Sequence, residues 1–211
     1  MPESSRLTGS STGIQLDFVE REATPRELMR LSIQLHLSGL SLSDTVSVLE
    51  RFGVERARST IHKWVQKADL QPTADKQPDH VALDETVVQL DAQRYWLYAA
   101  IDPETNEFLH VKLYSTRTTA LTEMFLRELR EKHDVEDAVF LVDSAPWLKA
   151  ALHNLSLRFR YEKHGNRNAV ERLFQDIKRR TSQFGNCFRN ADPATAETWL
   201  QSYAYCWNQL I

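Results

Sequence analysis

The sequence of 211 residues predicts an α/β protein in which a mixed sheet with flanking helices follows a small all-α domain. Two patterns predict this fold class. Apolar residues recur at helical spacing at three places within residues 24–68, and the later segments run strand, strand, strand, helix, strand, helix, strand, helix. The proline-containing segment 69–79 has no such periodicity, as is typical of a linker. We therefore expect a flexible polar leader at 1–23, a helical domain at 24–68 and a larger domain at 80–211.

The helical domain contains three short helices with clear end signals. They are predicted at 24–39, 41–53 and 56–68, and a glycine ends each of the first two. Three short helices with a glycine before the last one are typical of a helix-turn-helix, although an ordinary three-helix packing module fits the pattern equally well. If the segment is a helix-turn-helix, the side chains of its last helix that face DNA are Arg58, Ser59, Thr60, His62, Lys63 and Gln66.

The larger domain opens with a meander of three β-rich segments separated by turn residues. After the meander, the continuous apolar segment 138–142 favours a strand that is buried on both faces. The predicted elements are strands at 80–91, 93–102 and 107–116, a helix at 118–133, a strand at 138–142, a helix at 147–155, a strand at 157–163, a long helix at 166–180 and a last helix that begins at Asp192-Pro193.

Composition and charge limit the possible functions. The chain has no apolar segment long enough for a membrane span or a signal peptide, so we expect a cytoplasmic protein without a membrane partner. The net charge of −3 gives no global sign of a nucleic-acid partner. Residues 158–180, however, contain eight basic and three acidic side chains, a local patch that can attract phosphate, although such patches are more often solvated surface. Cys187 and Cys206 lack metal-ligand spacing and are expected to be reduced thiols.

Two acidic residues interrupt apolar strands. Asp84 lies in the middle of the first predicted strand, and Asp143 ends the fourth. Burial of a carboxylate at such positions is costly unless a cation or hydrogen bonds compensate it. Asp143 also stands where a turn or a helix cap would be expected, whereas Asp84 in mid-strand has no comparable explanation.

A third acidic residue, Glu171, lies at the rim of the apolar face of the long helix. Lys178 follows it by nearly two helical turns and therefore lies on the same side. A solvated ladder of ion pairs would explain these two residues alone. In the predicted order, however, the first and fourth strands are neighbours and the long helix packs over them, so Asp84, Asp143 and Glu171 can converge. Three converging carboxylates suit Mg²⁺ or Mn²⁺, and two such ions about 4 Å apart support phosphoryl transfer.

These motifs together resemble the DDE transposases of the insertion-sequence-six (IS-six) family. The resemblance extends from Thr24 to Ile211, and the successive carboxylates are separated by 59 and 28 residues, which also fits the family. The motifs that carry it are STIHKWV at 59–65, VALDETVV at 81–88, FLVDSAPW at 140–147 and NRNAVERLFQDIKRR at 166–180.

The resemblance implies a ribonuclease-H-like catalytic domain with Asp84, Asp143 and Glu171 as catalytic metal ligands and Lys178 as a further catalytic residue. It also implies two Mg²⁺ or Mn²⁺ ions per active site. The implied activity is DNA strand cleavage and strand transfer at the ends of an insertion sequence, with replicative formation of cointegrates. The partner would be double-stranded DNA, both terminal repeats and target, within a prokaryotic nucleoid. Phosphate contacts are expected from the basic side chains Arg172, Lys178, Arg179 and Arg180.

Two other functions stay open at this point. One is a non-catalytic helix-turn-helix regulator, which Asp84 in a strand disfavours, and the other is a ribonuclease-H-like nuclease that does not join strands. Because two element ends must meet one target, we expect a homodimer or a larger assembly in the DNA complex. The aromatic stripe Trp199, Tyr203 and Trp207 is expected to be core or dimer contact, and it is our first candidate for the interface.

Overall fold

A five-stranded mixed sheet forms the centre of the computed structural model, which describes residues 14–18, 24–162, 168–183, 188 and 191–210. In the order β3-β2-β1-β4-β5, the first three strands pair antiparallel, while β4 pairs parallel with β1 and β5 parallel with β4. The predicted adjacency of the first and fourth strands is therefore confirmed. The strands are β1 (His80–Leu90), β2 (Gln93–Asp102), β3 (Glu107–Tyr114), β4 (Val139–Val142) and β5 (Phe159–Tyr161).

Seven helices of the described residues surround the sheet, and each corresponds to a helix that the sequence predicts. Side-chain caps fix several of the boundaries, since Ser41 accepts a hydrogen bond from the Asp44 N–H and Asp192 accepts one from the Thr195 N–H. The helices are α1 (Arg26–Ser38), α2 (Leu42–Arg51), α3 (Arg58–Ala68), α4 (Thr119–Lys132), α5 (Pro146–Asn154), α6 (Asn168–Gln183) and α7 (Pro193–Asn208). None of the helices in the described ranges is both long and apolar enough to cross a membrane.

The two faces of the sheet are covered by different helices. Along β1, Val81 and Leu83 point into a cluster with α4 and α5, whereas Ala82 points into a second cluster on the opposite face. This alternation follows from the two-residue period of a strand. The second cluster contains the apolar side of α6, the helix α7 and the N-terminal helices. The predicted mixed sheet with flanking helices is thus confirmed.

Helix α7 covers the outer edge of β3. The Asn208 side chain accepts a hydrogen bond from the Phe108 N–H and donates one to the Phe108 carbonyl, both at 2.8 Å. Trp199 and Tyr203 are only 3% and 2% exposed, and Trp207 packs edge-on against Phe108. Trp199 and Tyr203 are therefore core within a single chain, whereas Trp207 is only partly buried and a dimer contact through it stays a prediction. An edge strand needs such a cover to prevent pairing with other chains.

The N-terminal segments pack more closely on the rest of the chain than the sequence indicates. Ile14 and Leu16 are 1% and 2% exposed, so residues 14–18 do not behave as the expected flexible leader. The segment 69–79 is held by backbone hydrogen bonds, including Asp75 N–H to the Lys132 carbonyl at 2.8 Å. Helices α1 and α3 both pack on α7. Since these helices share one apolar cluster with α6 and α7, the division of the chain at 69–79 stays a prediction.

Candidate active site

Asp84 lies on β1 on the same face as Ala82, toward the layer that contains α6. Its residue is only 9% exposed, and its Oδ1 accepts a hydrogen bond of 2.9 Å from the Glu85 N–H. The neighbouring strand positions Val81 and Leu83 are fully buried on the other face. A carboxylate is thus built into the wall of the core, as the pattern VALDETVV indicates.

Asp143 follows β4 directly and begins the turn into α5. Its Oδ1 accepts a hydrogen bond of 2.8 Å from the Ala145 N–H, and Pro146 then occupies the first position of the helix. Asp143 therefore does form the turn that its sequence context predicts. One oxygen of a carboxylate can make this bond while the other serves a different partner, so the turn does not exclude a functional role.

Asp84 lies in β1, and Asp143 directly follows β4, the parallel neighbour of β1. Ala82 pairs with Leu141, and each aspartate comes two residues after its member of this pair. If the strand period continues for one residue beyond β4, both side chains lie on the same face, and paired strands are about 4.8 Å apart. Both aspartates also interact electrostatically with the Glu85 carboxyl group, as expected from this proximity.

Glu171 and Lys178 are exposed side chains of α6, whose apolar side is buried over β1 and β2. Val170 is fully buried beside Glu171, and Ile177 is 2% exposed beside Lys178, so both polar residues lie at the rim of the packed face. Within the described ranges, no group of three His, Cys, Asp or Glu side chains is spaced as a metal site. The convergence of Asp84, Asp143 and Glu171 on shared ions therefore stays a prediction.

The residues expected to contact DNA differ in exposure and in their contacts. On α3, Arg58, Ser59 and Lys63 are exposed and Thr60 and His62 are half-buried. Gln66 donates a hydrogen bond of 3.2 Å to the Thr195 carbonyl, so its side chain contacts the start of α7. Arg172 donates to the Asn106 side chain at 3.4 Å, next to the β2–β3 turn. The side chains of Arg179 and Arg180 lie outside the described residues.

A group of four residues that the sequence analysis missed lies on the opposite side of the sheet from Asp84. We call it the Arg117 cage; its members are Glu85, Trp96, Arg117 and Trp147. The Arg117 guanidinium lies between the two indole rings, 4.0 Å from the Trp96 centroid and 4.2 Å from the Trp147 centroid. Trp147 Nε1 donates a hydrogen bond of 3.1 Å to Glu85 Oε1, and Arg117 Nη1 is 3.5 Å from the same oxygen.

The charge state of Glu85 is strongly perturbed within the cage. The pKa of Glu85 is raised to about 7, first by burial and then by the nearby charges of Asp84 and Asp143, while Trp147 and Arg117 act in the opposite direction. The only sequence signal of this role is a second acidic residue directly after Asp84. Its partners follow at distant positions of the chain, so no local pattern could identify them.

Comparison with known protein families identifies a DDE domain in the chain. A family model described as a DDE domain, of the IS240 type of transposase, matches residues 79–205. Because this match covers more than half of the sequence, the chain belongs to this family of DDE transposases.

The chain is similar to one protein by sequence and to several solved structures by fold. The uncharacterized protein MJ0017 of Methanocaldococcus jannaschii is 31% identical over 204 residues, covering 92% of this chain and 94% of its own. Among solved structures, the catalytic core domain of BIV integrase has a TM-score of 0.43 at 13% identity, covering 59% of this chain and 82% of its own. The HTLV-2 integrase catalytic core domain, in complex with magnesium, has a TM-score of 0.44 at 14% identity, covering 61% and 85%.

Proposed function

We propose that the protein is a transposase of the IS-six type that cleaves DNA at the ends of its insertion sequence and joins the freed strands to a target. The observation that supports this proposal is that Asp84 lies in β1, on the side of Ala82 and of the α6 cluster, while Asp143 directly follows β4, the parallel neighbour of β1. A regulator that only binds DNA would have no use for a carboxylate in the core wall at Asp84.

The donor set fits a divalent metal by its chemistry, since Asp84, Asp143 and Glu171 would offer only the hard carboxylate oxygens that Mg²⁺ or Mn²⁺ prefers. When two such ions are bound by these residues, they would supply activation of the attacking oxygen and stabilisation of the leaving oxygen. In this proposal β1 would hold Asp84, the turn after β4 would hold Asp143, and α6 would hold Glu171. The fold would thus keep the three carboxylates in place before DNA binds.

The reaction consists of two phosphoryl transfers. In the first, water attacks a phosphodiester at the element end, and the bond to the 3′ oxygen breaks to leave a free 3′-OH. In the second, this hydroxyl attacks a phosphodiester of the target, and a target 3′-OH leaves. Replication of the joined product would give a cointegrate. Lys178 lies on the same side of α6 as Glu171 and would hold a DNA phosphate during these steps.

DNA recognition is assigned to the helical segment 24–68 acting as a helix-turn-helix. The exposed Arg58, Ser59 and Lys63 of α3 support this assignment, because they leave polar and basic groups available to a DNA groove. The enzyme would act on double-stranded terminal repeats and target DNA in the nucleoid, as a homodimer or larger assembly that holds two ends. Arg172, Arg179 and Arg180 are proposed to contact phosphates together with Lys178.

The test is a strand-transfer assay with the purified chain, labelled candidate element ends, a supercoiled target plasmid and Mg²⁺. The expected products are nicked ends and ends joined covalently to the plasmid. Asp84→Asn should abolish both while leaving end binding intact. The matched control is Asp137→Asn, an exposed acidic residue just before β4, which should keep wild-type activity. Cleavage without joining would instead assign a nuclease, and end binding without cleavage would assign a regulator.

A further inference from the structure

The Arg117 cage links the segments that carry the two aspartates. Glu85 directly follows Asp84 on β1, and Trp147 lies in the first turn of α5, four residues after Asp143. The Trp147 Nε1 hydrogen bond to Glu85 Oε1, 3.1 Å long, therefore joins β1 to the turn after β4 from behind the proposed active site. Trp96 on β2 and Arg117 before α4 complete the enclosure.

Stability alone does not account for a carboxylate at position 85. The Glu85 side chain is only 5% exposed, and within the described part of the chain its Oε2 has no hydrogen-bond partner. Replacement of a buried ion pair by apolar residues of similar volume is often neutral or stabilising. The charges of Asp84 and Asp143 also lie close to Glu85 and disfavour its charged form. The cage is therefore better explained by the positions in which it holds β1 and the start of α5 than by a contribution to the free energy of unfolding.

The individual members of the cage have different tasks. Glu85 supplies the acceptor, and Trp147 supplies the N–H donor that fixes the start of α5. Arg117 compensates the Glu85 charge, and the two indole rings restrict its guanidinium to one plane. Since the Arg117 side chain is still 40% exposed, the rings orient it without removing it from water.

We propose that Glu85, Trp147 and Arg117 form a positioning unit that fixes the turn 143–147 against β1 and thereby sets the placement of Asp143 relative to Asp84. Glu85 lies on the face of the sheet opposite Asp84, so in this proposal the unit acts through the backbone of β1 and of the turn. The effect on catalysis rests on the proposed function, whereas the effect on the turn does not.

The test compares two conservative tryptophan variants in the full chain. Trp147→Phe keeps an aromatic ring beside Arg117 but removes the N–H donor to Glu85. Trp96→Phe is the matched control, because it makes the same change at the other ring of the cage. The first readout is hydrogen exchange in the turn, where the Ala145 N–H is bonded to Asp143 Oδ1 at 2.8 Å. The second is the kcat and KM of strand transfer.

Loss of one hydrogen bond should raise exchange in the peptide covering 143–147 by roughly fivefold in Trp147→Phe, and less than twofold in Trp96→Phe. The kcat of Trp147→Phe should fall on the order of tenfold with little change of KM for the DNA end. Glu85→Gln keeps an acceptor oxygen for Trp147, so it should retain wild-type exchange in the turn, whereas Glu85→Ala should match Trp147→Phe.

Wild-type exchange in Trp147→Phe would overturn the proposal, as would equal increases in both tryptophan variants. If the wild-type chain shows no strand transfer but the exchange results are as expected, the positioning unit stands and the proposed function fails. If the wild-type chain shows strand transfer but exchange and kcat are unchanged in Trp147→Phe, the proposed function stands and the positioning unit fails.

Discussion

Acidification should destabilise the folded chain through His110, a buried histidine of β3. This residue is 1% exposed and its ring stacks on Phe125 with centroids 4.8 Å apart. A neutral ring protonated on Nε2 satisfies both nitrogens: Nε2 donates to the Glu128 carboxylate at 3.0 Å, and Nδ1 accepts from Lys132 Nζ at 3.3 Å. Glu128 favours a charged ring, but burial dominates and lowers the pKa of His110 to about 3, with Lys132 and Lys112 acting in the same direction.

Proton linkage gives the direction and the magnitude of the change in the free energy of unfolding with pH. The pKa of His110 is lower in the folded chain than its ordinary value of 6.5, so the unfolded chain binds the extra proton between these two values. The free energy of unfolding therefore falls as the pH decreases, by about 1.4 kcal/mol per pH unit for one group. Between pH 6.5 and pH 5 this amounts to about 2 kcal/mol from His110. Burial also lowers the pKa of His36 and His133, which adds to the same trend.

Urea denaturation at a series of pH values measures this contribution. Between pH 6.5 and pH 5, the wild-type chain should lose about 2 kcal/mol more than His110→Gln, whose side chain can still donate to Glu128 but does not titrate. The control is His153→Gln, an exposed residue of α5, which should show the wild-type pH dependence. Parallel curves for wild type and His110→Gln would refute the assignment of a buried neutral ring.

Three further predictions concern the edge of the sheet and the proposed DNA contacts. Asn208→Ala removes both hydrogen bonds to Phe108 and should lower the free energy of unfolding by about 2 kcal/mol in urea denaturation, while the exposed neighbour variant Gln209→Ala should change it little. Lys178→Ala should reduce the rate of strand transfer at least about tenfold without a change in melting temperature. A lower rate together with a lower melting temperature would indicate a structural role instead. Lys63→Ala should weaken binding across DNA sequences and reduce the salt slope by about one; an unchanged slope would exclude a phosphate contact.

The local elements of this fold could be predicted well because their signals lie close together in the sequence. Proline, glycine and small polar residues mark the helix ends, and the period of two identifies the face of β1. The adjacency of β1 and β4 also followed from the element order. For the candidate site, this adjacency places Asp84 beside the turn of Asp143, whereas the position of the Glu171 side chain relative to both depends on the packing of α6.

The features that the sequence did not reveal depend on partners far apart in the chain. Ile14 and Leu16 lie in a polar leader, and only the folded chain provides the apolar cluster that buries them. The helix α7 carries more large aromatic side chains than one buried face needs. The sequence does not show that both α1 and β3 pack against this helix. The role of Glu85 could not be predicted from the sequence for the same reason, because both indole rings of the Arg117 cage come from other segments of the chain.

Diffraction from crystals of the chain soaked with Mn²⁺ tests the shared metal site most directly, by means of an anomalous difference map. The expected result is one or two Mn²⁺ peaks on the α6 face of the sheet, bonded by carboxylate oxygens of Asp84, Asp143 and Glu171. In Asp84→Asn crystals the peaks should be weaker or absent. Strong Mn²⁺ binding elsewhere with none at Asp84 and Asp143, or a bound ion that leaves Glu171 on the outer side of α6, would contradict the proposed active site.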